Sequence, residues 1–292
     1  MNVEHVRLMA KPGKPALLLA CLALAACAAV KKPADPVPGN PQVLLLGEVH
    51  DNPEGHRERF ADLRRRVEAG WRPALVMEQF DHENQGLLTR AQKGCHDPEC
   101  VIRVMASPGW DWSLYRPVLD LALTYELPLI AGNLSRADAS RVVRDGVASS
   151  FDAPTVQAYR LAAPVAADIR SGQQEEIVAG HCNMLPDMMI GGMVDAQIAR
   201  DIWMAKIIRA QMPRDVVLLA GNGHVRNDIG VARWINFLAP ALTLRSEGYV
   251  EQAVPAGTYD VVHRIAPHPR TDPCAGLKGK PAASKSHGGS GN

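Results

Sequence analysis

Aromatic residues make up only 5% of the 292-residue chain, and the two signs of charge nearly cancel, with 32 Lys and Arg against 31 Asp and Glu. A chain without a basic excess lacks the electrostatic footprint of a nucleic-acid binder, so no nucleic-acid partner is expected. No run of about 20 apolar residues exists, which argues against an ordinary membrane-spanning helix. Cys-x-x-Cys pairs are missing, and with them the spacing of zinc ribbons and of covalent haem attachment. Gly221-Asn222-Gly223 lacks the third glycine of a dinucleotide fingerprint, and there is no phosphate loop, Gly-x-Ser-x-Gly elbow or His-Glu-x-x-His helix. The remaining composition, 47% hydrophobic and 22% charged, is that of a soluble globular chain long enough for one or two domains.

The N-terminus carries targeting information. Arg7, Lys11 and Lys14 precede an apolar stretch from Ala16 to Val30, the charged and apolar regions of a secretory leader. Leu24-Ala25-Ala26-Cys27 has the form of a bacterial lipobox, which predicts a leader over 1–26 and lipidation of Cys27. Ala28 follows, a residue compatible with sorting to the outer membrane. Loss of Arg7, Lys11, Lys14 and Glu4 with the leader turns the formal charge from +1 to −1. The basic excess is therefore a targeting feature. Residues 27–41, with four prolines after Lys31 and Lys32, read as an extended tether. An exported chain tolerates disulfides, and the turn residues between Cys95 and Cys100 make that pair the expected one. Cys274 lies in a Pro-, Gly-, Ser- and Lys-rich segment, 266–292, expected to be disordered, so a bond from it to Cys182 is not expected.

Between tether and tail, residues 42–265 read as an α/β domain. Four unbroken apolar runs, Val43–Leu46, Ala74–Met77, Pro128–Ala131 and Val216–Ala220, have the character of strands buried on both faces of a mainly parallel sheet flanked by helices. Phe60, Leu63 and Val67 recur at helical spacing behind Asn52-Pro53, a cap and first-turn pair, with Gly70 as the stop. Arginines 57, 59, 64, 65 and 66 on that helix read as a solvated face. No strand pattern occurs over about 137–212, which predicts a helical insertion or subdomain. Leu242–Arg245 and Tyr259–Ile265 complete the sheet.

The chain contains an internal repeat. PQVLLLGEVHDN at 41–52 and RDVVLLAGNGHVRND at 214–228 are each an apolar strand ending in Gly-x-x-His. The other strands run into Glu78-Gln79 and Gly132-Asn133. Ligands of open parallel sheets bind outside the carboxyl ends of the strands, so Glu48, His50, Glu78, Asn133 and His224 are expected on one rim. Two carboxylates and two imidazoles can perform acid–base catalysis, and Glu48, His50 and His224 can also ligate a divalent metal. A second signal is the Met-rich stretch after His181, with Met184, Met188, Met189 and Met193. Thioether side chains suit flat apolar ligands, and the imidazole of His181 is a candidate metal or haem ligand or a helix cap. Tyr115, in the aromatic segment Trp110–Pro117, and Tyr159 are candidate phenolate ligands.

Through GEVHDN with the following His56, MEQF at 77–80, W-x-x-Y at 112–115, AGNLSR at 131–136, GHCNMLP at 180–186 and AGNGHVRND at 220–228, together with the lipobox, the chain resembles the ChaN-like haem-binding lipoproteins. The wider superfamily includes erythromycin-esterase-like and Tiki-like proteins. The resemblance spans roughly residues 42–250. It implies an α/β domain with a helical subdomain, non-covalent haem held between two subunits of a homodimer, and a role in haem and iron acquisition beside an outer-membrane haem transport system. It also implies a tyrosine ligand, with Tyr115, Tyr125, Tyr159, Tyr249 and Tyr259 all open. The family's paired histidines are represented here by Gly55-His56-Arg57. Two functions follow. The first is a haem-binding lipoprotein of the cell envelope using His181, Met184, Met188, Tyr115 or Tyr159. The second is a hydrolase, metal-dependent or acid–base, using Glu48, His50, Glu78 and His224.

Overall fold

The computed structural model describes residues 39–271 and Cys274. The leader, Cys27, the tether up to residue 38 and the rest of the C-terminal tail lie outside the described residues. Six strands, β1 (Val43–Leu46), β2 (Ala74–Asp81), β3 (Leu129–Asn133), β4 (Val216–Leu219), β5 (Leu244–Val250) and β6 (Val261–Arg264), form one sheet in the order β3-β2-β4-β1-β5-β6, and every pairing is parallel. The α/β class expected from the unbroken apolar runs is the one observed. Leu44, Leu46, Leu75, Met77, Val217 and Leu219 point into one core, and Val43, Leu45, Val76, Val216 and Leu218 into the other. That two-sided burial is why these strands show no polar alternation.

The first core is covered by α1 (Pro53–Glu68), α2 (Gln85–Gly94), α3 (Pro98–Met105) and α4 (Trp112–Thr124). Helix α1 begins as its sequence dictates: Asn52 Oδ1 accepts from Gly55 N at 3.0 Å, Pro53 occupies the first turn, and Gly70 leaves the helix at φ +105°. The second core is covered by α6 (Ala153–Ala158), α7 (Ala167–Gly180), α8 (Asp187–Arg209) and α9 (Val231–Ile235); α5 (Arg136–Asp145) packs on the outer side of α8. The helical stretch expected over 137–212 is thus a layer on the sheet. Ile198, Ile202 and Ala205 of α8 share a core with β1 and β4.

The exposed edge of β3 is closed by side chains. Gln85 accepts from Ala131 N at 2.7 Å and donates to Leu129 O, while Gln92 accepts from Leu129 N and donates to Leu127 O at 2.6 Å. The two amides stand in for the missing strand and satisfy backbone groups that would otherwise invite edge pairing.

Two expectations are corrected here. Residues 266–271 are placed, not disordered. Arg270 pairs with Asp51 and Glu251, and Asn52 Nδ2 donates to Glu251 and to Ala266 O. Beyond them Cys274 forms a disulfide with Cys182 across 92 residues, alongside the short-range Cys95–Cys100 bond. Composition described the tail's average, but the charges of Asp51 and Glu251 give its first residues a docking site that no local pattern announces.

Candidate functional site

The rim is built by two neighbouring strands that end alike. β1 and β4 pair in register from Val43 with Val216 to Leu46 with Leu219, and each then turns through a glycine. Both glycines are required by close approach. A Cβ on Gly47 would lie 2.2 Å from Asn222 Oδ1, and one on Gly221 would meet the His50 ring at 3.0 Å. The two turns are therefore interlocked, and no larger residue fits either strand end without displacement.

On the β1 side, Glu48 is buried at the base. Its carboxylate accepts from His50 Nδ1 at 2.8 Å, from the Tyr115 hydroxyl at 2.5 Å, from Gln79 Nε2 at 3.3 Å and from the Arg59 guanidinium. Burial opposes its charge, but Arg59 and the hydrogen bond from His50 prevail and hold the carboxyl well below the usual range. His50 sits above it with its side chain 48% exposed and Trp110 edge-on at 4.9 Å. Burial lowers its pKa, yet the bond to Glu48 and the charge of Glu78 raise it on balance. His56 donates from Nε2 to His50 O at 3.0 Å and accepts from Arg59 at Nδ1, and burial together with the Arg59 charge drives it down to about 4, so it is neutral.

On the β4 side, His224 is buried between two carboxylates. Its Nδ1 donates to Asp201 Oδ1 of α8 at 2.5 Å, and its Nε2 lies 3.6 Å from Glu78 Oε1. Burial disfavours the imidazolium, but Glu78 and Asp201 outweigh it and push the pKa up to about 10. Glu78 in turn is pulled down to about 2: burial works against it, and His224 and the backbone N–H of Gly221 at 2.7 Å overcome this. Asp201 Oδ2 accepts from Gln173 of α7 at 2.8 Å.

Four of the five expected rim residues thus converge. Asn133 instead accepts from Arg200 of α8 and ties the end of β3 to that helix. Tyr115 is fully buried as a donor to Glu48, and burial and that carboxylate raise its pKa strongly, so its phenol belongs to the rim and is not presented as a phenolate ligand. Sequence reasoning missed Asp201, Gln173 and Arg59. Arg59 departs from the solvated face predicted for the α1 arginines and is 1% exposed. Its position three residues after His56, on the face of Leu63 and Val67, is the available signal. Asp201 falls among the buried positions of α8 between Ile198 and Ile202, where a charge in an apolar stripe marks a partner. A divalent metal does not fit the rim. Among the described residues no group of three His, Cys, Asp or Glu side chains is arranged to hold one, because the lone pairs of Glu48 and both ring nitrogens of His224 are taken by protein partners.

The second candidate region is the tip of the α7–α8 hairpin. His181 is exposed at the end of α7 and donates from Nδ1 to Ile177 O at 2.7 Å. A carbonyl can only accept, so Nδ1 carries a proton and Nε2 is the nitrogen left for a ligand. Met184, Met188 (91% exposed) and Met189 follow, all on the surface. Cys182 and Asn183 turn the tip at positive φ, with Cys182 held to Cys274. Tyr159 is buried beside Trp234 and Phe237.

The profile of a haem-binding uptake family, ChaN of the Tiki superfamily, matches residues 39–235 and so takes in both Gly-x-x-His turns and the hairpin tip. The chain belongs to the ChaN family. In fold, this ChaN-family chain is similar to ChaN of Campylobacter jejuni, a structure of cofacial haem binding, at 18% identity and a TM-score of 0.61 over 76% of this chain and 86% of that one. An erythromycin esterase in its open conformation is similar at 16% identity and a TM-score of 0.42, over 72% and 70% of the two chains. A Bacillus cereus protein is similar at 13% identity and 0.38, over 71% and 65%. No match was found among curated proteins.

Proposed function

We propose that this ChaN-family protein binds haem non-covalently at the α7–α8 hairpin tip and serves haem uptake. The observation that carries the placement is an exposed His181 held at Nδ1 by Ile177 O and followed in the chain by three exposed methionines. Exposed apolar side chains gathered in one place mark an interaction surface, and thioethers adapt to a flat macrocycle. An imidazole whose other nitrogen is fixed by a carbonyl is a prepared iron ligand. Haem would supply the redox-active iron, with its potential set by the ligand and by burial. His181 would hold the iron, and Met184 and Met188 would cover the ring. A surface tip covers only one face of a macrocycle, which supports a homodimer in which each copy's tip carries one haem and the two haems lie between the copies. The lipobox at Cys27 and the tether to residue 41 support a lipid-anchored location at the outer membrane, next to a haem transport system. Among the described residues no helix is long and apolar enough to cross a membrane. Titration of the purified chain with haemin should give a shifted Soret band saturating at one equivalent, weakened by His181→Ala and unaffected by His50→Ala. An unshifted band would sink the reading.

A second reading rests on a specific geometry, the Glu48–His50 pair. His50 donates to Glu48 through Nδ1 and keeps Nε2 free at the half-exposed mouth of the rim. That is the base-and-orienter arrangement of acid–base hydrolysis. His50 would take a proton from water as it attacks an acyl carbon and return it to the leaving alkoxide or amine as the acyl–oxygen or acyl–nitrogen bond breaks. An ester and peptide panel tests it: turnover lost in His50→Ala supports it, and no turnover by the intact protein removes it.

A further inference from the structure

A cavity of about 310 Å³ opens between the loop after α6, the start of α7 and helix α9. One wall is aromatic: Tyr159 and Phe237 stack at 6.2 Å and 16°, with Trp234 tilted against both. The facing wall is aliphatic, formed by Leu161, Ile169 and the small residues between them. Phe237 is exposed at the mouth although it is a large aromatic side chain in a chain that has few. The size is at the lower end of small-molecule sites, and the aromatic and aliphatic lining suits a ring of one or two cycles.

The charge at the mouth is as informative as the walls. Two arginines line the cavity. Arg233 is committed to Asp168 at 2.7 Å and to Asp228 O. Arg160 has no carboxylate partner among the described residues; its guanidinium lies 6.0 Å from the Phe237 ring centre. It is set there by a left-handed backbone, φ +55°, at the turn after α6. The cavity therefore presents one uncompensated cation above an apolar slot.

We propose that this cavity is a binding site for a small aromatic carboxylate, with the ring between the Tyr159–Phe237–Trp234 wall and the Leu161–Ile169 wall and the carboxylate on Arg160. The site is separate from the hairpin tip and does not depend on haem binding there. Calorimetry with 2-naphthoate and its neutral counterpart 2-acetylnaphthalene tests it on the intact chain. Saturable one-to-one binding of naphthoate is expected. Arg160→Ala should weaken naphthoate about tenfold or more, the loss of a charge-assisted contact, and change the neutral compound less than twofold. Ala163→Phe, at an exposed lining position, should abolish both without moving the thermal midpoint. Failure of naphthoate to saturate at millimolar concentration overturns the proposal, as does binding indifferent to both substitutions. Naphthoate displaced by one equivalent of haemin also overturns it, because the probe would then report the haem site.

Discussion

The two Gly-x-x-His turns share a pattern and differ in chemical state. His50 stands half-exposed on one buried carboxylate, while His224 is buried between two. The first keeps a free ring nitrogen; the second has none to spare and carries a charge to a pKa of about 10. The same Gly-x-x-His pattern thus yields a candidate proton acceptor in one copy and a fixed cation in the other. The lesson is that the strand end delivers an imidazole, and the layer covering that strand end decides its protonation. For His50 the cover is Trp110 and the start of α4; for His224 it is α8, which brings Asp201.

The contrast can be broken most severely at its buried member. His224→Gln strands Glu78 and Asp201 facing each other without a cation, and should cost about 3–5 kcal/mol in urea denaturation. The same pair gives a pH signature. The folded pKa of His224 lies above its unfolded value of 6.5, so its contribution is complete below about 6.5 and lost as pH rises through about 10. Stability of the intact protein should decline across that alkaline window, and His224→Gln should remove that component of the slope.

Arg59→Met should come next, at about 3 kcal/mol, since Glu48 loses its buried cation but keeps Tyr115, His50 and Gln79 as donors. A rise in the Glu48 pKa seen by carboxyl-labelled NMR would accompany it. Gly47→Ala attacks the interlock itself. Its Cβ must displace Asn222, which bridges to Tyr249 O at 2.6 Å and to Tyr249 N, at about 1–3 kcal/mol. Movement of the His50 and His224 ring signals together would show that the two turns are one unit. Least costly is His50→Ala, expected within about 0.5 kcal/mol because a half-exposed side chain buries little. A loss of several kcal/mol there would erase the distinction between the two histidines.

Much of the sheet was readable from the chain alone. Val43–Leu46 and Val216–Leu219 are unbroken apolar runs because both faces of a central parallel strand are covered, and such burial leaves a direct mark on composition. The order of those strands left no mark, because register and neighbour choice depend on partners distant in sequence. The site divides in the same way. Glu48, His50, Glu78 and His224 were visible as polar residues directly after apolar runs, whereas Asp201 and Arg59 sit inside helices, where no local pattern separates a buried charge from a solvated one. Residues 266–271, the described start of the segment read as disordered from its composition, are held by Arg270 to two carboxylates, one of them 219 residues away.

By itself the sequence determined the local features: the elements, the cap at Asn52-Pro53, the glycine at each strand end and the delivery of a histidine to the rim. These depend on backbone sterics and on the alternation of apolar and polar residues within a few positions. Only the tertiary structure decided which histidine is charged, which arginine is buried, that Tyr115 serves Glu48, and that Cys274 meets Cys182. Each of those depends on desolvation and Coulomb interaction between groups brought together from far along the chain, and such energies exist only once the layers have closed around them.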